Sequence, residues 1–214
     1  MSRMDAMVER LLDEMEEMCR RIARSSLVIG PGGNLSVRLG NMVIITPTGY
    51  SFESIRKEDL VGIDLTTGER VMGRLKPSSE SHLHLACYRV RDDIASVLHT
   101  HPPYTVAVGT TLGRIPPMVA EMPVHIPKLE FLDYTTPMTK RLADAVAQKI
   151  RTTDTVFLKK HGMVVVGKSI ADAYDKTLVI EESARIYVYA SMVGRPQELT
   201  EDEIRDVMLL SPGG

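Results

Sequence analysis

The sequence predicts one α/β domain. Segments whose apolar residues recur every three or four positions alternate with short β-branched runs, the pattern of helices interleaved with strands. The 214 residues, 43% hydrophobic and 25% charged, are enough to bury a substantial core in a single domain spanning residues 1–214.

Met7, Leu11, Met15, Met18 and Ile22 mark a long first helix, with Met4 and Ala23 at the ends of its apolar stripe. Gly30-Pro31-Gly32-Gly33-Asn34 closes it with a tight loop. Leu35 to Arg38 and Met42 to Thr46 read as a hairpin around Gly40-Asn41, and Leu60 to Leu65 as a strand before the Thr67-Gly68 turn. Pro77 to Arg91 reads as a helix beginning near Ser78, Ser96 to Thr100 as a short strand, and Pro102-Pro103 as the start of another helix. The proline-rich stretch from Ile115 to Pro137 is expected to be loop or short strand. Thr139 to Arg151 is helical, Thr155 to Val166 holds two strand-like runs, and Ser169 to Val193 is a long helix. Thr200 and Glu203 have capping-box spacing for a last short helix.

A formal net charge of -2, with Lys and Arg spread along the chain, offers no basic field for nucleic acid. No apolar run resembles a signal peptide or a membrane span, so a cytoplasmic protein without a membrane partner is expected. Cys19 and Cys87 lie in helical patterns and are expected to be reduced and buried.

The chemistry concentrates in histidines. Two His-x-His pairs compete for a metal ion, His82/His84 and His99/His101. Strand residues i and i+2 share a face, whereas helical ones diverge by about 200°, which favours His99/His101. His161 follows the Val156-Phe157-Leu158 run, with Gly162 placed to allow a sharp bend. Three imidazoles with an open position are a catalytic metal arrangement rather than a closed structural one. Glu80 and His84 share a helix face. Ser78 and Ser79 lie at a helix start, where anions bind readily, and Gly33-Asn34 and Thr46-Pro47-Thr48-Gly49 are loops able to form an anion nest.

Gly32-Gly33-Asn34-Leu35-Ser36-Val37-Arg38, Ile45-Thr46-Pro47-Thr48-Gly49, Pro77-Ser78-Ser79-Glu80, His99-Thr100-His101 and His161-Gly162 occur in an order and spacing that resemble the zinc-dependent class II aldolase/adducin family. The resemblance covers nearly the whole chain, with a motif-bearing core at residues 5–193. It implies a three-layer α/β/α sandwich with a mostly antiparallel central sheet, assembled as a homotetramer with active sites between subunits. It implies one Zn²⁺ per subunit on His99, His101 and His161, with Co²⁺ or Mn²⁺ as substitutes. Glu80 would be the general acid/base, and Gly33, Asn34, Thr48, Gly49, Ser78 and Ser79 would hold the phosphate of a phosphorylated sugar. The implied reaction is retro-aldol cleavage of a phosphorylated ketose to dihydroxyacetone phosphate and an aldehyde.

The same scaffold also serves sugar-phosphate 4-epimerases, which typically carry aspartate where this chain has Glu80, and related dehydratases and decarboxylases. The non-catalytic adducin head lacks the metal-binding histidines. The chain departs from the family's sugar-phosphate aldolases in two places. Met118-Val119-Ala120-Glu121 stands near the position of an interface tyrosine, and no tyrosine occurs in the tail Leu209 to Gly214. Glu121, His125 and Tyr134 are the candidate substitutes.

Overall fold

The computed structural model describes residues 3–210. The expectations for the tail beyond Leu210 and for the Met4 side chain lie outside the described residues. The first helix, α1 (Arg3–Arg24), is followed by an antiparallel run of β1 (Asn34–Leu39), β2 (Met42–Ile45), β3 (Val61–Asp64) and β4 (Arg70–Met72). Then come α2 (Ser81–Val90), β5 (Ser96–Thr100), α3 (Pro103–Leu112), α4 (Glu121–His125) and β6 (Leu129–Leu132). The chain continues through α5 (Lys140–Ile150), β7 (Thr155–Leu158), β8 (Gly162–Gly167), α6 (Ile170–Val193) and α7 (Glu201–Leu209).

The eight strands form one sheet in the order β4-β3-β2-β1-β5-β8-β7-β6. Every neighbouring pair is antiparallel except β6 and β7. Strand side chains alternate between faces, so each central strand feeds two cores. Ile44, Leu98, Met163 and Val165 pack in one core with residues of α1 and α6, while Val43, Val97, Val164 and Val166 pack in the other with residues of α2 and α5. This alternation creates the expected three layers.

Local chemistry sets the helix boundaries. Leu12, Met15, Met18, Cys19 and Ile22 line the buried stripe of α1. Thr139 Oγ1 accepts the Leu142 N–H, Ser169 Oγ accepts the Asp172 N–H, and Thr200 forms the predicted capping box with Glu203. Cys19 and Cys87 are buried and unpaired with each other. No helix among the described residues is long and apolar enough to cross a membrane.

One boundary differs from expectation. The Pro77 helix begins at Ser81, not near Ser78, because Pro77 bridges Pro47 and the Ser78 N–H donates to Thr46 O at 3.0 Å. This strand-like pairing keeps residues 76–78 extended. It also brings the Thr48-Gly49 loop beside Ser78-Ser79.

Candidate active site

The site gathers at one end of the central strands. β5 lies between β1 and β8, with His99 opposite Asn34 on one side and Val164 on the other. His101 follows β5, and its backbone N–H donates to Leu27 O at 2.9 Å. His161 sits in the turn between β7 and β8, its N–H donating to Leu158 O at 3.0 Å. The sequence expects Gly162 to permit the bend there, but the left-handed residue is Lys160, with φ 62°. Gly162 serves close approach instead. A Cβ on it would lie 2.2 Å from Thr100 O and 2.6 Å from His101 Cδ2.

The two His-x-His pairs separate as strand and helix geometry require. On α2, His82 is exposed while His84 is buried against β1. The rings of His99, His101 and His161 converge, with centroids 4.7, 4.7 and 5.2 Å apart, and one nitrogen from each lies within 4.8 Å of the others. His99 Nδ1 is 2.9 Å from Met163 O. A carbonyl only accepts, so Nδ1 carries a proton and Nε2 faces the site. Nε2 stands 3.0 Å from His101 Nε2 and 3.1 Å from Glu80 Oε2. Burial, with His99 adding to it, pushes His101 down to about 3 and His161 down to about 4, which keeps both imidazoles neutral and ready to ligate. Three inward-facing imidazole nitrogens beside a carboxylate fit a divalent cation.

Glu80 immediately precedes α2 and is buried. Burial raises its pKa, but the adjacent His99, the Asn34 amide and His161 outweigh this and hold the carboxyl well below the usual range. Asn34 Nδ2 donates to Glu80 Oε2 at 3.2 Å. Glu80 Oε1 lies 3.9 Å from His161 Nε2 and has no hydrogen-bond partner among the described residues.

All six residues assigned to phosphate, Gly33, Asn34, Thr48, Gly49, Ser78 and Ser79, line one cleft of about 180 Å³ that also reaches Glu80, His101 and His161. Ser78 is partly committed, since its Oγ accepts the Glu80 N–H at 3.2 Å. Ser79, Thr48 and Gly49 are exposed to the cleft mouth. Pro137 and Met138 form another part of the wall; they were not singled out from sequence because nothing in the Pro137-Met138 pair signals a ligand. Glu121, His125 and Tyr134 are exposed, and none lines this cleft within one chain.

The fold and the convergent histidines define a class of protein, and residues 13–188 match the Class II Aldolase and Adducin N-terminal domain family. The chain belongs to that family and is an enzyme of the class II aldolase kind. It is 38% identical over 175 residues to L-fuculose phosphate aldolase of Methanococcus maripaludis strain S2, covering 82% of this chain and 94% of that one. It is 32% identical over 203 residues to 5-deoxy-D-ribulose 1-phosphate aldolase of Bacillus thuringiensis serovar kurstaki, covering 94% and 95%. A solved L-fuculose 1-phosphate aldolase superposes with a TM-score of 0.83 at 29% identity, over 92% of this chain and 94% of the other.

Proposed function

We propose that the enzyme cleaves a phosphorylated ketose to dihydroxyacetone phosphate and an aldehyde, using one divalent ion, zinc in the first instance, per subunit. The observation that carries this reading is the unpartnered, buried Glu80 Oε1 beside three convergent imidazoles, at the inner end of a cleft lined by Ser79, Thr48 and Gly49. His99, His101 and His161 would hold the ion. When bound, it supplies positive charge that stabilises the oxygen anion developing as the C3–C4 bond breaks.

The protein's own groups do the rest. Cleavage moves the C3–C4 electron pair into an enediolate while the C4 hydroxyl loses its proton and becomes the aldehyde. Glu80, ionised in the resting site, accepts the proton that the C4 hydroxyl gives up and delivers it to C3 of the enediolate; in the reverse direction it removes that proton from dihydroxyacetone phosphate. Ser79, Thr48, Gly33 and Gly49 hold the phosphate away from the reacting carbons and fix their orientation. Asn34 contributes a remaining N–H to the same cleft, and Ser78 fixes the start of α2.

The same reading makes residues 1–214 one catalytic domain of a cytoplasmic homotetramer. The exposed apolar residues Leu112, Met192 and Val193 near the α3–α6 groove are consistent with burial between subunits. The deciding experiment incubates metal-loaded protein with ketose 1-phosphates, ribulose 5-phosphate and sugar-acid phosphates, and identifies products by mass. Release of dihydroxyacetone phosphate from a ketose 1-phosphate supports the aldolase. Epimerised pentose phosphate, or loss of water or carbon dioxide without a triose, replaces it.

A further inference from the structure

A buried polar chain runs from the active site into the core between α2 and the sheet. Glu80, at the N-cap of α2, and His84 and Tyr88 within it are spaced four apart, and Asn34 and Ser36 are spaced two apart on β1, so the two elements present matching polar rows. All five side chains are buried, His84 and Tyr88 completely. His84 Nε2 lies 2.5 Å from Asn34 Oδ1, His84 Nδ1 lies 2.7 Å from Ser36 Oγ, and Ser36 Oγ lies 2.9 Å from Tyr88 OH.

The donor directions in this chain are determined from its charged end. An ionised carboxylate only accepts, so the Asn34 atom facing Glu80 is the amide nitrogen. The atom turned to His84 is therefore the carbonyl oxygen, which forces a proton onto His84 Nε2. Burial keeps that imidazole neutral, pushing His84 down to about 3. Nδ1 is then bare and takes the Ser36 hydroxyl proton, so in the Ser36–Tyr88 contact Tyr88 OH is the donor, its one proton shared between Ser36 Oγ at 2.9 Å and Ser36 O at 3.0 Å. Reversing the Asn34 amide would set its carbonyl against the carboxylate.

We infer that His84 is a positioning residue for Glu80, acting through Asn34. Its Nε2–H locks the amide so that Nδ2 holds Glu80 Oε2 and leaves Oε1 as the oxygen that exchanges a proton with substrate. Ser36, anchored by Tyr88, sets the tautomer. This inference rests on Glu80 being the proton carrier, and it extends the machinery about two turns down α2 to residues that touch no ligand.

The test compares metal-loaded wild type, His84→Leu, His84→Gln and Ser36→Ala in deuterium exchange into dihydroxyacetone phosphate. His84→Leu should lower the exchange kcat roughly 10- to 100-fold, as losses of orienting partners do, with KM and bound metal essentially unchanged. His84→Gln, which retains an N–H for Asn34, should recover most of the rate; Ser36→Ala should fall between. Should the leucine variant fail to fold, imidazole ¹⁵N spectra of the metal-free wild type still decide, since they must show His84 protonated at Nε2 alone. An Nδ1–H tautomer, a folded leucine variant exchanging at the wild-type rate, or a glutamine variant as slow as leucine would each overturn the inference. If wild type exchanges no deuterium, the Glu80 role fails on its own, while the spectra still report whether the locked chain exists.

Discussion

Glu80 Oε2 stands 3.1 Å from His99 Nε2, the same nitrogen that faces the other two imidazoles. A cation held by the three imidazoles would take the lone pair of that nitrogen beside the carboxylate. His99→Ala should therefore abolish stoichiometric zinc uptake by metal-free protein, measured by metal analysis after dialysis; wild-type stoichiometry in the variant would remove His99 from the ligand set.

Replacing Glu80 with Gln preserves size and the neighbouring hydrogen-bond geometry but removes the proton carrier. The variant should bind metal at wild-type stoichiometry and lose deuterium exchange by roughly 10²- to 10⁴-fold, the range for a general acid/base. Unchanged exchange would assign the proton transfer elsewhere.

Gly162→Ala places a methyl 2.2 Å from Thr100 O. Strands β5 and β8 must part to admit it, at a cost of about 1–3 kcal/mol. Because the same methyl meets His101 Cδ2 at 2.6 Å, metal affinity should fall along with the unfolding midpoint. Denaturant melts and metal titration of this variant measure both; a drop in neither contradicts the close approach.

Among the described residues no lysine or arginine lines the cleft, so a phosphate there depends on hydroxyls and backbone N–H groups. Ser79→Ala should raise KM for a phosphorylated ketose roughly tenfold, as loss of one hydrogen bond to a charged group does, with kcat little changed. A kcat defect at constant KM would place Ser79 in the chemistry rather than in phosphate binding.

Burial lowers His84 from 6.5 to about 3, reinforced by His99 and opposed by Glu80. Between these values the unfolded chain takes up a proton that the folded chain refuses, so stability falls as pH drops below 6.5 and is lost progressively toward 3. The contribution of this one residue at pH 5 is about 2 kcal/mol. Melting curves of metal-free protein at pH 7, 6 and 5 should show the decline, and His84→Gln should flatten part of it. A wild-type profile that stays level down to pH 5 is the contrary result.

The histidine triad was legible because strand periodicity is local: His99 and His101 could be chosen over His82 and His84 from spacing alone. The start of α2 was not, because it depends on Pro77 pairing with Pro47, thirty positions earlier. The edge strand Arg70–Met72 also escaped notice, having only three largely exposed residues and no alternating pattern. The short helix Glu121–His125 was hidden by Pro123 within a proline-rich run. The Glu80, His84, Tyr88 spacing was visible throughout, yet its meaning required Asn34 and Ser36, which only strand pairing brings opposite. Membership of the site for the six cleft residues came from recognisable motifs, and the pairing of residues 46–48 with 76–78 explains why those motifs meet.

The histidine ligand candidates come from strand β5, paired with β1 and β8, and from the β7–β8 turn, with Asn34 and Glu80 contributed earlier in the chain. No segment ending before His161 contains the complete set, and β8 must dock beside β5 before His161 can face the other two imidazoles. During synthesis the growing polypeptide therefore passes through most of its length without a competent metal cradle. An ion needing all three imidazoles would have its full ligand set only once the sheet's centre has closed, not when the first two histidines appear.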